Sequence, residues 1–103
     1  MSEISVRKIA MVGFGEAGSI LGADLAAKGR DVVTYDILLD APASRAAMLA
    51  KASRAGVQTA DSFDAAVKDA DLVISAVTAA SSAQVAQNAS QALRAGQIFL
   101  DIN

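Results

Sequence analysis

Apolar positions along this chain fall into short near-continuous runs that alternate with helically spaced ones. Residues 8–12 form the first run, and its lack of alternation fits a strand buried on both faces of a parallel sheet. Residues 16–28 follow, with Ala17, Ile20, Leu21 and Leu25 at helical spacing and Gly29 where a helix would stop. Residues 31–36 read as a second strand, rich in the β-branched Val32, Val33 and Thr34. Pro42 marks the first turn of a second helix that runs to about Arg54 and is ended by Gly56. Residues 57–60 alternate and are few, which predicts an edge strand.

Phe63, Ala66, Val67 and Ala70 make one stripe of a short third helix, and residues 72–77 make another buried strand. Ser81 and Gln84 form a capping-box pair that predicts the start of a fourth helix, closed by Gly96; residues 98–102 are the fifth strand. The order is βαβαβαβαβ. Right-handed crossovers then require parallel strands with helices on both faces, in the order 3-2-1-4-5. The expected class is α/β, a doubly wound parallel sheet in which residues 1–103 form one domain.

Chemistry enters at the end of the first run. Gly13, Phe14, Gly15, Glu16, Ala17 and Gly18 spell G-x-G-x-x-G between a predicted strand and a predicted helix. Gly13 lets the chain leave the strand in a tight turn. Gly15 has no side chain to keep the backbone away from a pyrophosphate, and Gly18 lets the helix pack on the strand. The helix start presents free N–H groups and the positive end of its dipole. Asp36 ends the second strand eighteen positions after Gly18, where an acid can accept hydrogen bonds from ribose hydroxyls. Turn, strand, helix and acid together are the fingerprint of a Rossmann-type dinucleotide-binding domain. A carboxylate at Asp36 repels a 2′-phosphate, and it is followed by Ile37, Leu38 and Leu39, with Arg45 the next cation along the chain. NAD is therefore expected over NADP.

Other acids read more plainly. Glu16 is a favourable carboxylate in a helix's first turn, facing outward. Asp69 and Asp71 read as solvated turn residues, since nothing nearby in sequence completes an acid–base site. Gly22, one turn after Gly18, is explained by close backbone packing.

Composition narrows the classes. Of 103 residues, 53% are apolar and 19% charged, so a globular core is expected; aromatics are only 4%, which suits alanine-rich helix-on-sheet packing. The net charge of −2 and the lack of a basic cluster argue against nucleic acid. With no cysteine, disulfides and thiolate metal sites are excluded, which fits a reducing, cytoplasmic setting. With no histidine, the commonest metal ligand and general base is missing too. No metal site, catalytic residue or membrane segment is expected in these residues.

With the turn, Asp36, residues 70–77 (ADLVISAV) and residues 96–103 (GQIFLDIN) in hand, the chain resembles the N-terminal domain of the β-hydroxyacid dehydrogenases. That family includes 3-hydroxyisobutyrate dehydrogenases and 6-phosphogluconate dehydrogenase-like proteins. The resemblance implies that the loop after the fourth strand, Val77, Thr78 and Ala79, lines the cofactor, and that Asn103 reaches the nicotinamide and substrate. For Thr78 and Asn103 an ordinary strand-end role stands equally open. Ala17 stands where many members have methionine, and Thr78 where many have a proline-containing loop, so the substrate is left open. Members place their catalytic lysine on a helical second domain, so the resemblance implies a fragment that binds cofactor without turnover. It also implies a small hydroxy-acid substrate and a homo-oligomeric whole protein. Two rivals share the glycine-rich turn. One is a non-catalytic NAD-sensing module. The other is an S-adenosylmethionine-dependent methyltransferase, against which the spacing to Gly18 and a helix starting within the turn both argue.

Overall fold

A computed structural model describes residues 6–102. Five strands, β1 (Lys8–Val12), β2 (Asp31–Tyr35), β3 (Gln58–Thr59), β4 (Leu72–Ser75) and β5 (Ile98–Asp101), form one sheet in the order β3-β2-β1-β4-β5. Every pairing is parallel, with Lys8 opposite Asp31 and Ile9 opposite Leu72. The strand order and the α/β class are those expected from the apolar runs. β1 lies at the centre because its residues 9–12 are all buried and tolerate a neighbour on each edge.

Helices α1 (Glu16–Ala27), α2 (Pro42–Ala55), α3 (Phe63–Val67) and α4 (Ala79–Ala92) connect the strands. One face of the sheet carries a core of Ile9, Met11, Phe14, Val32, Met48 and Ile74; the other packs Ala10, Val12, Val67, Val73 and Val85. The stripe that α1 buries differs from the expected one. Ala17 is exposed and Ile20 is 65% exposed, while Gly18 and Gly22 are buried and Leu21 and Leu25 are half-buried. The helix turns its glycines inward because the Phe14 ring lies against it: a Cβ on Gly22 would sit 3.0 Å from Phe14 Cε1.

The capping-box expectation is corrected. α4 starts at Ala79 with Thr78 at its N-cap, two residues before Ser81. Gln84 does not reach back but bonds Asn88 at 3.0 Å. The helix ends at Ala92, with Leu93 at the C-cap, so Gly96 belongs to the turn that follows. Asp71 is a partly exposed turn residue as expected, but it does more: it accepts from the backbone N–H groups of Arg7 and Lys8, both at 3.0 Å, and ties β4 to the start of β1. These bonds hold its carboxyl below the ordinary carboxylate value. Among the described residues no helix is long and apolar enough to cross a membrane.

Candidate functional site

The strand order reverses at β1, whose neighbours are β2 on one side and β4 on the other. In open parallel sheets the crevice beyond the strand ends at such a point is where ligands sit. A cleft of about 430 Å³ opens there. Its walls come from the glycine turn (Gly13, Gly15), the end of β2 (Tyr35, Asp36), the residues after β4 (Ala76, Val77, Thr78) and α4 (Ser81, Gln84, Asn88).

The three glycines do different work. Gly13 has φ +91°, and a Cβ there would lie 2.6 Å from the carbonyl oxygen of Ala76, so the turn and the chain after β4 are in backbone contact. A Cβ on Gly18 would lie 2.1 Å from the carbonyl oxygen of Gly13, which leaves no room for any side chain. Gly15 is the opposite case. It is exposed, has φ −74° at the N-cap of α1, and a Cβ there would meet no described atom within 4 Å. The open space in front of Gly15, with the first N–H groups of α1 behind it, is the shape of a phosphate cradle.

Asp36 is fixed from two sides. Its Oδ2 accepts from the Phe14 N–H at 2.7 Å and its Oδ1 accepts from the Leu38 N–H at 2.9 Å. The second bond caps a 3-10 turn, Ile37–Leu39, that was not foreseen; three apolar residues in a row carry no helical period to reveal it. Ile37 and Leu38 reach the cleft and are 74% and 47% exposed, giving it an apolar wall that the sequence reading missed. The turn is pinned further by Ser44 Oγ donating to the Leu38 carbonyl and by the Tyr35 hydroxyl donating to Asp40. Burial, the bond to Asp40 and the negative charges of Asp40 and Asp36 push the Tyr35 phenol up to about 12.

Of the expected site residues, Gly13, Gly15, Asp36, Val77 and Thr78 meet in the cleft. The side chain of Phe14 does not: its ring is fully buried in the core, and its contribution to the site is its N–H. Glu16 and Ala17 are exposed on the first turn of α1, Gly18 is buried behind the turn, and Ala79 opens α4 outside the cleft lining. Asn103 lies outside the described residues.

A parallel sheet of this order with a glycine cradle and an acid at the end of β2 defines a dinucleotide-binding domain of the Rossmann type. Residues 8–103 match the family described as the NAD binding domain of 6-phosphogluconate dehydrogenase, and the chain belongs to that family of NAD(P)-binding domains. Among solved structures it is similar to a conserved hypothetical protein from Sinorhizobium meliloti 1021, at 31% identity and TM-score 0.90 over 96% of this chain. It is also similar to 3-hydroxyisobutyrate dehydrogenase from Mycobacterium tuberculosis (28%, TM-score 0.77, over 94% of this chain) and to a diketoreductase (28%, 0.75, over 93%). The chain spans 33%, 31% and 41% of those three structures. No curated protein sequence matches it.

Proposed function

We propose that the chain is the cofactor half of an NAD-dependent dehydrogenase acting on a small hydroxy acid, with NAD preferred over NADP. The observation that carries this reading is the pairing of an open Gly15 at the N-terminus of α1 with an Asp36 carboxylate held beside it. Gly15 leaves space for a pyrophosphate, and the first turn of α1 supplies donors to it. Each Asp36 oxygen takes one backbone N–H and keeps a lone pair for a ribose hydroxyl. A 2′-phosphate would meet the same carboxylate as a like charge.

NAD, when bound, supplies the hydride acceptor. This chain's part is to hold and orient it: the turn at the phosphates, Asp36 at the ribose, and Ile37 and Leu38 as an apolar wall. The base and the substrate pocket belong to a further domain of the whole protein. Two observations support that division. The chain spans about a third of the 3-hydroxyisobutyrate dehydrogenase it resembles. Ile98 and Leu100 on β5 and Ile102 just after it are 40–47% exposed, and Leu100 pairs with Ile74 on the sheet face that α1 and α2 cover elsewhere. The test is a panel of short hydroxy acids incubated with this chain and NAD, read by absorbance of the reduced cofactor. Binding without reduction is expected. A clear rate would mean that the catalytic group lies within these residues.

A further inference from the structure

Arg45 is the next cation after Asp36, in the first turn of α2, and the structure shows how it is occupied. One guanidinium nitrogen donates to the Leu39 carbonyl at 3.0 Å, and the other pairs with Asp61 Oδ1 at 3.1 Å. Leu39 follows the residue whose N–H is bound by Asp36, so the guanidinium and the Asp36 carboxylate grip adjacent residues of one 3-10 turn. Ile37 and Leu38 of that turn line the cleft, but Arg45 does not. A cation therefore stands beside the ribose end of the cleft with both arms taken.

We propose that Asp61 is a specificity-determining positioning residue, which holds Arg45 on the far side of the 3-10 turn and so withholds it from a 2′-phosphate. This inference rests on reading the cleft as the dinucleotide site. Asp36 then disfavours NADP by repulsion, and Asp61 disfavours it by occupying the guanidinium that grips the same 3-10 turn. Arginine is the side chain best shaped to take a phosphate in a fork, so freeing it changes the balance more than freeing a lysine would. The Asp61 side chain is 86% exposed and that of Arg45 44%, so the ion pair is a solvated one and its removal leaves the core untouched. The effect is correspondingly modest.

The experiment is calorimetric titration of NAD and NADP into the parent chain, Asp61→Asn, Arg45→Gln and the double variant, at fixed low ionic strength. Asp61→Asn should tighten NADP roughly threefold to fivefold, the range set by a solvated ion pair, and leave NAD unchanged. That gain should vanish in the double variant, because it runs through the guanidinium. Unchanged NADP affinity in Asp61→Asn would overturn the inference. So would an undiminished gain in the double variant, which would show that only a negative charge had been removed. A parent that binds NAD but whose NADP affinity ignores Asp61 leaves the site reading standing and this inference fallen; a parent that binds neither removes both.

Discussion

The Asp36 carboxylate and the Phe14 backbone N–H are joined by a 2.7 Å hydrogen bond, so the acid at the end of β2 is part of the glycine turn it faces. The Phe14 ring anchors the same residue in the core, where it is fully buried, and Lys51 sits 6.0 Å from the ring centre. One residue thus anchors the glycine turn in the core, and one carboxylate ties that turn to the end of β2.

Replacing Asp36 therefore has two consequences. Asp36→Ala removes two charge-assisted bonds to backbone N–H groups in a half-buried, partly screened position, at a cost of about 1–2 kcal/mol. The melting temperature should fall by about 5–10 °C, and NAD binding should weaken while the gap to NADP narrows. Paired dissociation constants with a thermal melt check this. Unchanged NAD affinity would mean that the carboxylate acts only on the turn.

Gly18 is where the fold, rather than the ligand, forbids a side chain. Gly18→Ala drives a Cβ to 2.1 Å from the Gly13 carbonyl oxygen, and that backbone has no flexible end to move. Overpacking of this kind costs about 1–3 kcal/mol or more, so Gly18→Ala should melt at least ~5 °C below the parent. Circular dichroism would show it.

Tyr35 is the only tyrosine of the chain, and there is no tryptophan, so absorbance reports its ionisation alone. With the folded pKa pushed from 10.0 up to about 12, the neutral phenol is favoured in the native state. Its contribution to stability is complete below pH 10 and is lost as pH climbs from 10 towards 12. Titration at 295 nm should therefore give a midpoint well above 10. In Asp40→Asn, which removes the charge beside the hydroxyl, the midpoint should move down.

At the acid end the sensitive group is Asp71. Its folded pKa lies below the ordinary 3.8, so its stabilising effect is present above that value and lost as pH falls beneath it. Asp71→Ala should lower the melting temperature at pH 7 and flatten its fall between pH 5 and pH 2.5. A parent and variant with parallel melting curves over that range would contradict the clamp on Arg7 and Lys8.

The central strands β1 and β4 were legible because a strand buried on both faces has few polar positions to confuse it. β1 appears at the residues the apolar run marks, and the edge strand β3 is shorter than its run by one residue at each end. The glycine turn was legible because each glycine answers a separate steric demand. What escaped depended on partners distant in sequence. The bonds of Asp71 span more than sixty residues, and nothing local distinguishes it from Asp69. Ser81 and Gln84 have the right spacing for a capping box, but Thr78 is already extended at the helix start and its carbonyl accepts from Ser81. The 3-10 turn had one local signal: an acid placed two residues before Leu38, whose N–H it caps.

Gly15 tests the account most directly, because a side chain there enters the proposed phosphate position. Its φ of −74° suits any residue, and a Cβ would meet no described atom within 4 Å. Gly15→Val should stay folded and melt no more than about 8 °C below the parent, the cost of about 1 kcal/mol for putting valine in place of a favoured N-cap glycine. In calorimetry with NAD the parent should show one binding site per chain, and the variant no measurable heat of binding. A folded Gly15→Val variant that binds NAD as tightly as the parent would contradict the assignment of this turn as the phosphate cradle.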